Sequence, residues 1–166
     1  MKIDVTLVIN GKRRTMSVEP RQSLADLLRE DMRLTATHLG CEQGVCGACT
    51  ILIDGQPARA CITLGVAVEG AEIRTLEGLQ DDELMAILKE SFHDKHGLQC
   101  GFCTPGMLIS SWDLIRRKPK LNEQEIRLGM SGNLCRCTGY QGIVRSIKAA
   151  ADKWAGSPSA REEAKG

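Results

Sequence analysis

Four cysteines in the first half of the chain have a spacing that suits an inorganic cofactor. Three lie on one loop, separated by four and two residues, and a fourth follows after eleven more: Cys41, Cys46, Cys49 and Cys61. The spacing Cys-x4-Cys-x2-Cys…Cys is the plant-type pattern for a [2Fe–2S] cluster. Three glycines interleave these cysteines, namely Gly40, Gly44 and Gly47. Residues without Cβ let backbone N–H groups approach anionic sulfur, and such hydrogen bonds raise a cluster's reduction potential.

The second half holds the other four of the eight cysteines, as two short motifs that each precede a predicted helix start: Cys100-Gly-Phe-Cys103 and Cys135-Arg-Cys137. Thr104-Pro105 follows the first motif and Thr138-Gly139 follows the second. Helix N-termini present free N–H groups and a positive dipole end, so they suit an anion. The charges of four thiolates and an oxidised [2Fe–2S] core sum to about −2, so two helix N-termini would stabilise the cluster.

Zinc and disulfides are the alternatives for these thiols. Zinc with four thiolates carries the same charge as the cluster, so the helix starts do not decide between them. The spacing favours iron, because zinc knuckles usually have two to four residues between ligands, whereas Cys135 and Cys137 have one. Disulfides suit small secreted proteins, and the sequence shows no signal peptide.

Composition limits the classes of function. The chain has 166 residues, 42% of them hydrophobic, and a formal net charge of +1. This near-neutral charge gives no basic footprint for nucleic acid and little electrostatic steering of a transient partner. No apolar run approaches the roughly 18 residues of a membrane span, and we expect a cytoplasmic protein whose partners bind through shape and apolar contact.

The opening of the chain predicts a hairpin and a short helix. Apolar side chains alternate with other residues over 3–9, and Asn10-Gly11 is a pair favoured in two-residue hairpin turns. The returning strand follows. Ser23 is placed to cap a helix, with Asp26 three residues further on.

The segment after the cysteine loop predicts further strands. Residues 50–53 form one strand, Asp54-Gly55 a turn, and Pro57 to Cys61 the returning segment that delivers the fourth cysteine. Val66, Val68 and residues 73–76 offer additional strand. The fold class is therefore α+β, with residues 1–78 forming a β-grasp domain of the plant-type ferredoxin kind.

The remaining sequence changes to helical periodicity. Four helix starts are indicated by capping residues, by a first-turn proline or by apolar spacing: Asp81 or Asp82, Thr104-Pro105, Asn122 with Glu125, and about Gln141. Short connections between them predict a four-helix bundle over residues 79–155 that carries the second cluster. The composition of residues 156–166 predicts a disordered tail.

Three stretches together resemble the iron–sulfur subunit of the molybdenum hydroxylases, the xanthine dehydrogenase, aldehyde oxidoreductase and carbon monoxide dehydrogenase family. The resemblance covers about residues 3 to 154 and departs at none of the eight cysteines. The stretches are Gly40-Cys-Glu-Gln-Gly-Val-Cys-Gly-Ala-Cys-Thr50, Leu98-Gln-Cys-Gly-Phe-Cys-Thr-Pro-Gly106 and Gly132-Asn-Leu-Cys-Arg-Cys-Thr-Gly-Tyr140.

The resemblance implies a partnership and a direction for electrons. In that family a large subunit holds molybdenum with molybdopterin dinucleotide, a medium subunit holds FAD, and the small subunit relays electrons between them. It implies that the cluster held by Cys100, Cys103, Cys135 and Cys137 lies nearer molybdenum, and that the plant-type cluster lies nearer flavin. Gln99 and Cys137 are then expected against the pterin, in a heterotrimer that can dimerise. No catalytic residue is expected on this chain.

Two other functions remain as alternatives. A free two-cluster ferredoxin would carry electrons without permanent partners, although the near-neutral charge counts against it. A zinc-stabilised interaction module would be colourless. His93 and His96 could ligate metal, but eight cysteines already supply two complete sites. Arg136 is as well suited to tuning a cluster as to pairing with a partner subunit.

Overall fold

The computed structural model describes residues 1–163 and has a mixed α+β arrangement. Its sheet has five strands in the order β2-β1-β5-β3-β4. Only β1 and β5 pair in parallel; the other neighbours are antiparallel. The strands are β1 Ile3–Ile9, β2 Lys12–Val18, β3 Thr50–Ile53, β4 Gln56–Arg59 and β5 Glu72–Arg74.

Two tight turns close the hairpins of this sheet. Asn10 and Gly11 have φ of 49° and 76°, and Asp54 and Gly55 have φ of 48° and 77°. Positive φ at both central residues matches the right-handed twist of the strands on either side. The hairpin predicted at Asn10-Gly11 is therefore confirmed, and so is the turn at Asp54-Gly55.

The first helix is short. Ser23 accepts a hydrogen bond from the Asp26 N–H at 3.0 Å, as the capping prediction requires, and α1 spans Leu24–Asp26. The chain then widens into a π-helical turn over Leu27–Asp31. Leu24, Leu27 and Leu28 are fully buried against the sheet, so apolar burial fixes this segment more than helical propensity does.

One strand prediction is wrong. Val66 and Val68 lie in a 3₁₀ turn over Gly65–Val68, and the strand that follows covers only Glu72–Arg74. Both valines pack against the sheet core from this turn. Alternating valines indicate burial every second residue, and a 3₁₀ turn on top of the sheet provides it as well as a strand does.

Helices occupy most of the second half. They are α2 Glu83–Asp94, α3 Thr104–Arg117, α4 Glu123–Gly129, α5 Gln141–Ala155 and α6 Pro158–Glu163. Asp82 caps α2 through the Met85 N–H at 2.8 Å, and Asn122 with Glu125 forms a capping box at α4. Cys103 rather than Thr104 is the cap residue of α3, with Thr104 as its first helical residue.

The last helix lies in the segment for which the sequence predicts a disordered tail. The Ala160 N–H donates to Ser157 Oγ at 3.1 Å, and Ser159 Oγ contacts the Glu83 carboxylate of α2. Residues 164–166 lie outside the described residues.

The core has two parts that meet at β3. Ile51 packs among the strands and α1, whereas Leu52, on the opposite face of the strand, packs among the helices. Side chains alternate between the faces of a strand, so one strand serves both cores. The helical half therefore packs directly on the sheet that carries the first cysteine loop.

Candidate iron–sulfur sites

The first cysteine loop runs without regular structure from the π-helical turn to β3. Backbone N–H groups of Gln43 and Cys46 point at the Cys41 sulfur, at 3.4 and 3.3 Å. Positive φ at Gly44 (78°) and Gly47 (74°) bends the loop. The loop therefore has the role predicted for its glycines: it directs backbone donors at a sulfur atom.

Three of these thiols lie on the loop before β3, and the fourth follows β4. The Cys41 thiol lies beside that of Cys46, and the Cys61 thiol lies beside that of Cys49. Cys61 lies in a 3₁₀ turn over Ala60–Ile62, directly after β4. The Ala60 N–H donates to the Cys49 carbonyl at 3.3 Å, which holds this turn beside the loop. The structure thus brings the four cysteines together in two pairs.

Electrostatics differ within this set. Backbone N–H groups of Cys46 and Gln43 lower the pKa of the Cys41 thiol to about 6, because they stabilise the thiolate. Burial raises the pKa of Cys61 to about 11, and its hydrogen bond with Cys49 adds to the rise. A bound ferric ion would stabilise the thiolate of this partly buried cysteine.

The second set also consists of two pairs. The Cys137 and Cys100 sulfurs are 3.5 Å apart, and the Cys103 thiol lies beside that of Cys135. Cys100 and Cys137 are exposed, whereas Cys103 and Cys135 are partly buried. Burial raises the pKa of Cys103 to about 12. The Phe102 N–H, 3.5 Å from the Cys100 sulfur, lowers the pKa of Cys100.

A group of polar contacts surrounds Cys135. Its N–H donates to Tyr140 Oη at 2.9 Å, and its sulfur accepts from Thr138 Oγ1 at 3.2 Å. Burial would raise the pKa of Cys135, but hydrogen bonds from Thr138 and the Cys137 backbone outweigh it, so the pKa lies below its ordinary value. The sequence indicated Thr138 only as part of the approach to a helix and gave Tyr140 no role, although a threonine directly after a cysteine recurs at residues 50, 104 and 138.

The arrangement of the thiols fits a two-iron cluster. Each set has the four thiols that would hold one [2Fe–2S] cluster. The Thr104 hydroxyl, one residue after Cys103, is buried without a protein partner, and cluster sulfur is an acceptor that would satisfy it.

The two cysteine sets are in direct contact through the backbone. The Leu134 N–H donates to the Cys46 carbonyl at 2.8 Å, so a residue next to Cys135 is hydrogen-bonded to a cysteine of the first set. Asn133, which is buried, donates from Nδ2 to the Gly47 carbonyl at 3.2 Å. Arg59 donates to the Gly132 carbonyl at 2.6 Å. None of these contacts was predicted, because their partners are far apart in the sequence.

Other predicted residues lie at the surface. Gln99 is exposed beside Cys100, and Arg136 is exposed between Cys135 and Cys137. His93 and His96 are exposed near the end of α2 and belong to neither cysteine set. A different histidine reaches the second set: His38 Nδ1 lies 2.6 Å from the Phe102 carbonyl oxygen, and the two rings are 4.8 Å apart.

Exposed apolar side chains accompany both sets. Val45 and Ile62 lie in the segments that carry the first set and are 60% and 62% exposed. Phe102 and Leu134 lie in the motifs of the second and are each 49% exposed. Large apolar side chains grouped at a functional site are typical of a surface that a partner covers.

Comparison with known proteins assigns the chain to a class. Residues 7–76 match a family described as a 2Fe-2S iron-sulfur cluster binding domain, and residues 75–148 match one described as a [2Fe-2S] binding domain. The chain is thus a protein with two [2Fe–2S]-binding domains. Among the described residues, no helix is both long and apolar enough to cross a membrane.

Similar proteins narrow the class. The caffeine dehydrogenase subunit gamma of Pseudomonas sp. (strain CBB1) is 51% identical over 147 residues, which cover 87% of this chain and 88% of that subunit. The nicotine 6-hydroxylase small subunit of Paenarthrobacter nicotinovorans is 49% identical over 146 residues, 88% of each chain. The chain belongs to the family of small iron–sulfur subunits of molybdenum hydroxylases, and it is a non-catalytic electron-transfer subunit of an oxidoreductase complex.

Solved structures agree with this assignment. A chain of quinoline 2-oxidoreductase from Pseudomonas putida 86 superposes with a TM-score of 0.87 and 50% identity, over 97% of both chains. The aldehyde oxidoreductase from Desulfovibrio gigas superposes with a TM-score of 0.85 and 34% identity, over 97% of this chain but 18% of that one. This sequence is thus similar to one part of a much longer polypeptide there.

Proposed function

We propose that the eight cysteines hold two [2Fe–2S] clusters, through which this subunit relays electrons from a large molybdenum–molybdopterin subunit to a medium FAD subunit. Cys41, Cys46, Cys49 and Cys61 form one ligand set, and Cys100, Cys103, Cys135 and Cys137 form the other. The observation that carries the proposal is that the segments bearing two sets of four thiols are joined, by the hydrogen bond from the Leu134 N–H to the Cys46 carbonyl. When bound, each cluster takes up and releases one electron at a time.

The chain's own residues support this role by stabilising negative charge. Backbone N–H groups at Cys41 and Cys100, and the Thr138 hydroxyl at Cys135, donate to sulfur. Reduction adds negative charge, so these donors stabilise the reduced state more than the oxidised state. The start of α3 contributes a positive dipole end beside Cys103.

We propose that the second set faces the molybdenum subunit and the first set faces the flavin subunit. Exposure of Gln99 and Cys137 supports the first half of this assignment, because both are available to donate or accept hydrogen bonds at a pterin. The exposed Val45 and Ile62 support the second half, because they offer an apolar surface beside the first set.

The finer organisation is part of the same proposal. Residues 1–78 form the β-grasp domain, residues 79–155 a four-helix bundle, and residues 156–166 a tail. The subunit assembles into a cytoplasmic heterotrimer that can dimerise. The exposed apolar residues at both sets support permanent partners, and they argue against the alternative of a free two-cluster carrier.

We propose a nitrogen heterocycle as the substrate class of the complex. Caffeine, nicotine and quinoline, which appear in the names of three similar proteins, are all nitrogen heterocycles. The large subunit, rather than this chain, would select among them.

The test is to purify the untagged protein from its native host under mild conditions. Co-purification of a large subunit with molybdenum and a medium subunit with FAD is expected, together with bleaching of the visible iron–sulfur absorption when a nitrogen heterocycle is added. A free chain of about 18 kDa that keeps its visible absorption would support the carrier alternative. A colourless protein would contradict both functions.

A further inference from the structure

Three hydrogen bonds form a closed circuit around Cys135. The Cys135 N–H donates to Tyr140 Oη at 2.9 Å, and the Tyr140 N–H donates to Thr138 Oγ1 at 3.1 Å. The Thr138 hydroxyl then donates to the Cys135 sulfur at 3.2 Å. Each residue is both donor and acceptor, so the circuit starts and ends on one cysteine.

The direction of the last bond follows from proton counting. A threonine hydroxyl has one proton and two lone pairs. Thr138 Oγ1 accepts the Tyr140 N–H with one lone pair, and a thiolate at Cys135 has no proton to give, so the hydroxyl proton is the one shared with the sulfur. Accepting one hydrogen bond also polarises the hydroxyl and strengthens the bond that it donates.

The backbone is bent to make this circuit. Tyr140 has φ of 69°, in the left-handed region that a bulky residue rarely adopts, and Gly139 before it has φ of 62°. An unusual backbone conformation beside a functional group persists when the surroundings fix it. Here the Tyr140 side chain is fixed by the helical core and by the Cys135 N–H.

The first cysteine set offers a matched contrast. Thr50 follows Cys49 as Thr138 follows Cys137, but its hydroxyl donates to the Gly47 carbonyl at 2.6 Å and accepts from Arg59. Its one proton is thus used away from sulfur. Among the described residues, Thr138 is the only one whose hydroxyl donates a hydrogen bond to a cysteine sulfur.

We infer that Thr138 is a positioning residue that sets the reduction potential of the second cluster. This rests on the proposed function, in which Cys135 holds that cluster. A hydroxyl proton at a ligand sulfur stabilises the state with one more electron, so it raises the potential. Accepting an electron from the molybdenum side becomes more favourable as a result. Thr138 itself takes no part in electron transfer.

The experiment is a redox titration of Thr138→Val in the purified subunit, with dithionite as the one-electron donor and electron paramagnetic resonance as the readout. At a fixed potential near the wild-type midpoint, the reduced-to-oxidised ratio of the second cluster should fall about three- to tenfold. A tenfold change corresponds to 59 mV for one electron. Thr138→Ser keeps the hydroxyl and should restore the ratio to within about twofold.

Thr50→Val is the matched control, because it makes the same chemical change one residue after a cysteine. It should leave the reduced-to-oxidised ratio of the second cluster unchanged. It should change that ratio for the first cluster by less than Thr138→Val changes it for the second cluster. An equal shift from Thr50→Val would overturn the inference, because that hydroxyl does not donate to sulfur.

The outcomes separate this inference from the proposed function. If wild-type protein contains no iron, the proposed function fails. If both clusters are present and Thr138→Val leaves the potential unchanged, the inference alone fails. If Thr138→Val does not hold the second cluster, Thr138→Ala removes the same hydroxyl with less bulk. If neither variant holds the cluster and Thr138→Ser does, the hydroxyl serves assembly, and the role in setting the potential is overturned.

Discussion

Each cysteine set presents four thiols, but the two sets position their thiols by different means. Cys41, Cys46 and Cys49 lie within one loop whose glycines direct backbone N–H groups at sulfur. Cys100 and Cys103 are brought to Cys135 and Cys137 from a segment more than thirty residues away by helix packing, and a side-chain hydroxyl supplies one donor. The first set therefore depends mainly on local backbone conformation, and the second on tertiary structure.

The largest expected effect comes from removing one ligand of each set in turn. Changes that only disturb a ligand's support typically cost about 10–100-fold in metal affinity, so losing a thiolate costs at least that. In the assembled complex, Cys46→Ser should leave substrate able to reduce the second cluster but interrupt the path afterwards. Cys137→Ser should prevent efficient reduction of either cluster. Rapid-mixing absorption and electron paramagnetic resonance distinguish the two outcomes.

The proposed order of the relay is what this pair of variants tests. Normal-rate reduction of the first cluster by substrate, in a Cys137→Ser complex that lacks the second cluster, would show that the order is wrong.

The next effect concerns the contact between the two halves. Gly47→Ala should destabilise the protein by about 2–4 kcal/mol, because the residue has φ of 74° and a Cβ would lie 2.6 Å from the Gly132 carbonyl oxygen. Gly55→Ala is the matched control, with φ of 77° and nothing within 4 Å of the added Cβ. It should cost about 1–2 kcal/mol.

Thermal unfolding at full iron content measures this difference. Each kcal/mol shifts the midpoint by about 2–4 °C for a protein of this size. Equal midpoints for the two variants would mean that the backbone approach between Gly47 and Gly132 contributes nothing to stability.

Asn133→Ala should have a smaller effect on the same contact. The side chain is buried, and its Nδ2 donates to the Gly47 carbonyl at 3.2 Å. Losing it should cost about 1–3 kcal/mol, because the buried carbonyl loses a donor. The Gly47 carbonyl keeps the Thr50 N–H and hydroxyl as donors, which favours the lower end of the range.

Denaturant unfolding of the loaded protein checks this value. Gln124→Ala, at an exposed position of α4, is the comparison variant, and its free energy of unfolding should stay within about 0.5 kcal/mol of wild type. If Asn133→Ala were no less stable than Gln124→Ala, the side-chain hydrogen bond between the two halves would have no stabilising role.

Local signals in the sequence predicted much of the fold. The turn at Asn10-Gly11 needs two residues that tolerate positive φ, and the capping box of Asn122 and Glu125 lies within four residues. The turn and the helix start could therefore be predicted without tertiary information. The strand prediction at Val66 and Val68 was wrong because their spacing indicates burial and does not determine backbone conformation. The two faces of β3, with Ile51 in one core and Leu52 in the other, could not be assigned because each depends on what packs there.

At the cysteine sets too, local sequence predicted some features, and others depend on tertiary packing. The spacing of Cys41, Cys46 and Cys49 predicted a shared loop, and the structure has one. The hydrogen bond from Leu134 to Cys46, and the circuit through Thr138 and Tyr140, depend on packing and on a left-handed Tyr140. A bulky residue in that conformation has no signature in a single sequence, so sequence reasoning missed it.

The most direct measurement of the central claim is the iron, zinc and acid-labile sulfide content of anaerobically purified protein. Two complete sets of four thiols predict about four irons and four sulfides per chain, with zinc absent. Two irons per chain, or zinc in place of iron, would contradict the claim that both sets hold [2Fe–2S] clusters.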